Sequence, residues 1–459
     1  MENFISSSNF RLITDGTAAG RTALECYPNS VSTLLTSKKM QFPTVYLGWA
    51  PVVGSLQSDG RDIRGRGLRK AATMRMIGRT ALPLIFTILS AAPIWAQSSD
   101  ELKLCIDNSQ SNPDAGIRYC TTAIESAGLT PENLAIAYYR RGVAYFAKLD
   151  RGRALEDYNH SIELNPNFAQ AFNNRGAIFN DRGIFDRAIQ DYDQAIRLNP
   201  NYALAIYNRA NAYKGKGEFD RAIQDYDQSI RMNPNYAPAF NNRGNAYYGK
   251  GEFDRAIQDY DQAIRMNLNY TAAYDNRGLA YKHKGDSDRA IKDFDEAIQL
   301  DPKSPLTFFH RGQAQFSSGQ FDLALKDFES AHRRQPKEVY TIIWMYLAQA
   351  RSGNHDQTEL QKNAAEMDMT KWPAIVANLY LGTATPESVL AAAADPDPRK
   401  EKSHFCEANF FLAERALLMG DRPEAASFLQ KAVETGATLN FEYWAAKDEL
   451  RKLDPSGGR

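Results

Sequence analysis

The sequence carries few of the residues that do chemistry. Its 459 residues include only six His and four Cys. The six His (His160, His283, His310, His332, His355 and His404) are scattered, and none sits at metal spacing from a second ligand type. No His-Glu-x-x-His, Gly-x-Ser-x-Gly elbow, phosphate loop or dinucleotide fingerprint occurs. No catalytic residue, metal ligand or cofactor is therefore assigned, and the chain reads as a non-enzyme. Net charge is also missing, with 55 basic against 55 acidic side chains. Residues 1–96 hold 11 basic and 5 acidic ones, so the remainder carries 44 against 50. A mildly acidic body argues against a nucleic-acid partner. Long apolar runs are absent too. The best candidate, Ala81 to Ile94, falls short of the ~20 residues that a comfortable membrane span needs.

That run has a different use. It follows the basic start Met74-Arg75-Met76-Ile77-Gly78-Arg79 and closes on Trp95-Ala96-Gln97. Basic start, apolar core and small closing residue describe a secretory signal peptide over 74–96. Such a signal belongs at a chain start. The reading is therefore that translation begins at Met74 or Met76. Residues 1–73 are then an over-extended reading frame; a disordered extension is the other possibility. Ile94 stands where a small residue is preferred, and no Cys follows the run, which argues against a lipid anchor. The expectation is a periplasmic or secreted protein with no membrane span in the mature chain. The alternative is a membrane anchor formed by residues 81–96.

What is abundant is repetition. A Gly or Ala recurs at 142, 176, 210, 244, 278 and 312, always 34 residues apart. With Ala135 as position one, position eleven is aromatic in Tyr145, Phe179, Tyr213, Tyr247 and Tyr281, with Gln315 the exception. Position twenty is Ala154, Ala188, Ala222, Ala256, Ala290 and Ala324, and position twenty-four is Tyr158, Tyr192, Tyr226, Tyr260, Phe294 and Phe328. Position thirty-two is Pro except at Leu268. Spacings of three and four put these residues on helix faces. Small-against-large alternation lets two helices interdigitate. A fixed period of this size means a solenoid whose units must stack to bury their apolar faces.

The ladder of small, aromatic, Ala, aromatic and Pro residues resembles the tetratricopeptide repeat family, with six in-phase copies over 135–338. The resemblance implies an all-α, right-handed solenoid of helix-turn-helix units with capping helices. It also implies a concave groove lined by first helices that binds a protein or peptide segment. One departure is systematic: position seven, usually Leu, is Arg141, Arg175, Arg209, Arg243, Arg277 and Arg311. Each Arg is expected to meet a second-helix Asp, such as Asp191 or Asp193. The Asp-Tyr-Asp triplets that supply them recur unit after unit, so they read as structural or solvating.

Stepping back one period makes residues 97–134 a degenerate leading unit, with Cys120 at the alanine position and Cys105 on the first helix. A Cys on each helix of an antiparallel pair can form a disulfide; a free buried pair is the alternative. Cys406 is left over. The code fades in 339–404, where Asp395-Pro396-Asp397-Pro398 reads as a linker. It returns in 405–455 as a divergent unit, with Ala425, Leu429 and Ala432 in phase. A last helix, Phe441 to Leu453, is expected to cap the stack. This closing pattern is similar to that of bacterial envelope tetratricopeptide proteins.

The candidate binding surface is an Asn column: Asn174, Asn208, Asn242 and Asn276 at position six of four first helices. A carboxamide can pair with both halves of a peptide bond. The peptide-binding repeats of O-GlcNAc transferase are similar in carrying Asn two residues before the repeat glycine. Tyr207, Asn211, Asn245 and Tyr248 are expected beside the column, with Asn173, Asn241, Asp275 and Lys282. A clamp for a partner's terminal carboxylate would need more cations than Lys214 and Lys282. The expected function is an interaction scaffold holding an extended peptide in the groove. The alternative is a cell-envelope assembly or adaptor factor that binds an enzyme through its carboxy-terminal third.

Overall fold

The computed structural model describes residues 94–453 apart from Ala127 and Glu366, with side chains from Asp100 onward. The readings on the signal peptide and the start site fall almost wholly on residues outside this range. Among the described residues there is no strand, and no helix is long and apolar enough to cross a membrane.

A leading hairpin, α1 (Ile94–Asn108) and α2 (Pro113–Glu125), is closed by a Cys105–Cys120 disulfide. Six further hairpins follow. They are α3 (Pro131–Ala147) with α4 (Arg151–Leu164), α5 (Ala169–Asp181) with α6 (Phe185–Leu198), and α7 (Ala203–Gly215) with α8 (Phe219–Met232). The next three are α9 (Ala237–Gly249) with α10 (Phe253–Met266), α11 (Thr271–His283) with α12 (Ser287–Leu300), and α13 (Pro305–Ser317) with α14 (Phe321–Arg334). First helices touch first helices of adjacent units, as α5 touches α7 and α7 touches α9. No second helix touches the next second helix as closely. The stack therefore curves toward its first helices, which form the inner wall.

The hairpins close because the sequence pairs a glycine with a ring. Tyr192 is fully buried, and its ring lies where a side chain on Gly176 would stand: an added Cβ would come within 2.8 Å of it. Gly244 and Tyr260 repeat this at 2.7 Å. Each buried ring contributes about 1.5–3 kcal/mol of apolar transfer energy. The turn inside each hairpin needs a left-handed residue, supplied by Gly183, Gly217, Gly251, Gly285 and Gly319 with φ from 71° to 78°. In the first repeat Leu149 takes that place at φ 65°.

The Arg ladder joins the hairpins to one another. Arg209 Nε and Nη2 donate to the Asp225 carboxylate of its own unit at 2.7 and 2.8 Å. Its Nη1 donates to Asp193 of the preceding unit at 2.6 Å. Arg243 does the same with Asp259 and Asp227, Arg277 with Asp293 and Asp261, and Arg311 with Asp327 and Asp295. The expectation of Asp191 or Asp193 thus resolves into two roles. The first Asp of each triplet serves its own Arg, the second serves the next unit's Arg, and the Tyr between them fills the core. A planar guanidinium suits this because it can hold two carboxylates at once.

Beyond the array come α15 (Val339–Arg351), α16 (Thr358–Ala364), α17 (Ile375–Tyr380), α18 (Pro386–Ala392), α19 (Pro398–Leu418), α20 (Arg422–Glu434) and α21 (Phe441–Leu453). The sequence reading started α19 near Phe405 and took Asp397-Pro398 for linker. Asp397 is instead the N-cap, accepting from the Arg399 amide, and Pro398 opens the helix. Trp344 is the hub of this region, with ring centroids 5.0–6.1 Å from those of Phe316, Phe328, Phe410, Phe411 and Phe441. Buried Glu407 ties it together. It accepts from Tyr340 Oη and Trp372 Nε1 on one oxygen, and from Ser403 Oγ and Asn440 Nδ2 on the other.

Candidate functional site

The inner wall does not present its Asn column to a guest. Asn174, Asn208 and Asn276 are fully buried and Asn242 is 7% exposed. Asn174 Nδ2 donates to Tyr139 Oη of the preceding first helix at 3.2 Å, and Asn208 Nδ2 donates to Asn173 Oδ1 at 3.0 Å. One unit beyond Asn208, Asn242 Nδ2 donates to Tyr207 Oη at 2.7 Å and to Asn211 Oδ1 at 3.0 Å. Asn276 Nδ2 then donates to Asn241 Oδ1 at 3.0 Å. Asn173 and Asn241 each pass a hydrogen to the next Asn in sequence. The expectation that these amides face a guest backbone is corrected. Their hydrogens are spent between hairpins, because amides packed between first helices must be satisfied there.

The flanking residues divide. Asn245 is buried and accepts from Tyr260 Oη at 2.8 Å. Tyr207 is buried against the Tyr226 and Tyr236 rings. Tyr248 is buried between Phe253 and His283. Asn211 stays half-exposed. At position twelve, Asn180 and Lys214 are also half-exposed, whereas Phe146, Tyr248, Lys282 and Phe316 are buried. At position six of the first unit, where the Asn column would begin, stands half-exposed Arg140, its guanidinium 5.6 Å from the Tyr139 ring.

The last helix also reaches part of the buried stretch. α21 packs chiefly on α19 and α20, and its outer side chains touch the ends of α11 and α13. Trp444 meets Phe253 and His283 edge-on, with centroids 6.0 and 6.5 Å apart. Phe441 lies 4.4 Å beneath Lys282 Nζ, which donates to Gln313 Oε1 at 2.8 Å. Lys452 Nζ donates to the Ser317 carbonyl at 2.9 Å. Glu449 reaches Arg351 at 3.6 Å, and Arg351 also holds Glu414 at 2.7 Å. Burial pushes the Lys282 ammonium down to about 7, with Glu442 and Asp275 pulling the other way. Burial, then the adjacent Lys282, drives His283 well below its usual range. Burial raises the Glu414 carboxyl to about 7 against the pull of Arg351.

The sequence reading missed this return. Its trace was present: Phe441, Glu442, Ala445, Ala446 and Glu449 share one helix face, and all are buried. Two Glu on a buried face call for cationic partners, which a plain end cap does not have. Among the described residues no group of three His, Cys, Asp or Glu could hold a metal ion.

Models of the tetratricopeptide repeat match residues 135–168, 207–267 and 241–305, and a TPR repeat model matches 176–217. MamA, of known structure, is 30% identical over 35% of this chain and 95% of its own, with a TM-score of 0.33. The chain belongs to the tetratricopeptide repeat family. Two further tetratricopeptide repeat proteins of known structure are similar. YrrB, described as having an unusual peptide-binding site, is 22% identical over 41% of this chain and 97% of its own (TM-score 0.35). One from Parabacteroides merdae is 17% identical over 56% of this chain and 98% of its own (TM-score 0.45). No curated protein matches the chain. As a tetratricopeptide repeat protein it has the architecture of a protein–protein interaction scaffold.

Proposed function

We propose that this tetratricopeptide protein is an exported scaffold that binds a partner segment on the amino-terminal part of its inner wall. The observation that carries the reading is the change in exposure along that wall. Arg140, Asn180, Asn211 and Lys214 are half-exposed on α3, α5 and α7, while the residues at the same positions on α9, α11 and α13 are buried. Two cations with two amides suit a segment carrying a carboxylate and free backbone groups. Export is supported by the Cys105–Cys120 pair, since disulfides persist in oxidising compartments.

The test is site-specific photocrosslinking in the native host. A photoreactive residue at Lys214 should give adducts with a defined partner, and Lys214→Glu together with Arg140→Glu should abolish capture. The same residue at Arg187, exposed on the outer helix α6, should give none. Adducts from position 187 and none from 214 would refute the reading. Thiol alkylation of native protein, followed by peptide mass mapping, checks export: Cys105 and Cys120 should resist alkylation until reduced.

A further inference from the structure

The turns inside the hairpins line one edge of the stack, and a chain of ion pairs runs along it. Lys216 holds Asp186 of the preceding repeat at 2.7 Å and Glu218 of its own at 2.8 Å. Lys250 does the same with Asp220 and Glu252, both at 2.7 Å, and Lys284 holds Asp254. The chain breaks at both ends, with opposite sign. In the second repeat the cation is Arg182, but Gly152 and Ile184 stand where Lys216 finds its two acids. Arg182 is exposed, and its Nη2 donates to the Arg151 carbonyl of the turn before at 3.5 Å. From the sixth repeat onward the cation is gone. Ser318 and Ser352 take its place, and each hydroxyl donates to a carbonyl of its own helix, at Ala314 and Gln349. Exposed Asp288 and Asp322 thus stand opposite a Ser where Asp254 has Lys284.

Apolar side chains are exposed at the same two places. Leu149 is 62% and Ile184 41% exposed in the pair of turns that holds Arg182, and Leu323 is 46% exposed next to Asp322. In the repeats between, Gly217 and Glu218, then Gly251 and Glu252, occupy the positions of Leu149 and Ile184. Leu323 replaces the Arg that pairs with Glu218, Glu252 or Asp286 in the third to fifth repeats. Cations near the acidic end are already engaged, Arg451 with Asp448, and Lys452 with Glu449 and the Ser317 carbonyl. One edge therefore carries a cationic apolar patch on the first two repeats and an acidic apolar patch on the last two. The patches lie equally far from the boundary between the third and fourth repeats.

We propose that this edge docks a second copy of the chain, turned antiparallel, with Arg182, Leu149 and Ile184 of each copy against Asp288, Asp322 and Leu323 of the other. A twofold axis at the boundary between the third and fourth repeats satisfies both patches at once and closes the assembly as a dimer. Burial of the aliphatic side chains supplies the affinity. The exposed charge pairs contribute little energy and set the register. The docking surface is the turn edge and not the inner wall, so the dimer goes beyond the proposed function and does not rest on it. It also gives Leu149 a use: a strained residue persists where the strain serves a contact.

Sedimentation velocity of the full chain over a range of concentrations tests this. Wild type should pass from one chain mass to two as concentration rises. Arg182→Glu, or Asp288→Lys with Asp322→Lys, should each raise the dissociation constant about tenfold, because like charges then meet at both contacts. These positions are exposed, so folding is not at stake. An equimolar mixture of the two variants should dimerise more tightly than either alone, since every contact in the mixed pair joins opposite charges. Leu149→Gly with Ile184→Glu copies the turn of the third and fourth repeats and should also weaken the dimer about tenfold. A wild type that stays monomeric would overturn the proposal; if it then floats with phosphatidylglycerol vesicles, the edge is a lipid surface instead. Charge swaps that leave the dimer unchanged, or a mixture no tighter than its parts, would overturn it too. So would species that keep growing beyond two copies, since an open chain has no closing twofold axis. In the crosslinking test, adducts of two copies are known by their doubled mass, so the loss of either reading leaves the other standing.

Discussion

At the residue scale, the chain shows its rules most plainly where one copy breaks them. Leu149 holds a left-handed φ of 65° that glycine supplies in the other repeats, and its side chain is 62% exposed. A β-carbon there costs about 1–2 kcal/mol, and little packing offsets it. Leu149→Gly should therefore stabilise the protein by about 1 kcal/mol, after allowing for the extra entropy of glycine in the unfolded chain. A urea midpoint that falls would contradict this. The position-six Asn teach the opposite lesson. Their recurrence was legible in the sequence, but a repeated polar residue looks the same whether it faces a ligand or its own copy one unit away. Only the distances from Asn174 to Tyr139 and from Asn208 to Asn173 separate the two cases.

At the scale of elements, stability passes from hairpin to hairpin through the Arg ladder. Arg243 bridges Asp259, which is 6% exposed, to Asp227. Arg243→Ala leaves Asp259 buried without its counterion and should cost about 3 kcal/mol. Arg243→Lys should recover little, because an ammonium cannot grip both carboxylates as a fork. Urea unfolding of the two variants checks this, and a fully rescued Lys variant would contradict it. The leading hairpin is the complementary case. Among the described residues it has a neighbouring hairpin on one side only, and its disulfide closes a loop with a sequence separation of 15. Cys105→Ser should cost that hairpin about 3 kcal/mol. In a nearest-neighbour stack the loss stays local. Hydrogen exchange should rise over 100–125 and remain level over 237–300. The hairpins were readable because Gly and ring recur at fixed spacing. The start of α19 was not, because Asp-Pro marks a linker and a capped helix start equally well.

At the scale of the whole molecule, two buried charged groups tie the carboxy-terminal helices to the array and set its response to pH. Lys282 titrates near 7 when folded and near 10.5 when free. Between those values the unfolded chain holds a proton that the folded one has shed. Stability from this group is therefore present above 10.5 and lost as pH falls through about 7. Glu414 runs the other way: its carboxyl titrates near 7 folded and 4.5 free. Its contribution is present below 4.5 and lost as pH rises through about 7. The two together place a shallow minimum near neutrality. Lys282→Met should raise the melting temperature at pH 7 and flatten the rise toward pH 10. A Lys282→Met protein with an unaltered profile would show that the buried ammonium costs nothing.

The sequence by itself determined the unit, its length, its number and the way its two helices close. Those depend on contacts within one period: Gly176 against Tyr192, Arg209 against Asp225, a left-handed Gly at each turn. Such contacts repeat, and repetition is visible in one dimension. What only the tertiary structure decided was where the wall is open. The Asn amides turn inward because the neighbouring hairpin stands within hydrogen-bond reach. Lys282 is buried because a helix more than 150 residues further along the chain comes back to lie on it. A contact made once, across that separation, leaves no period to read.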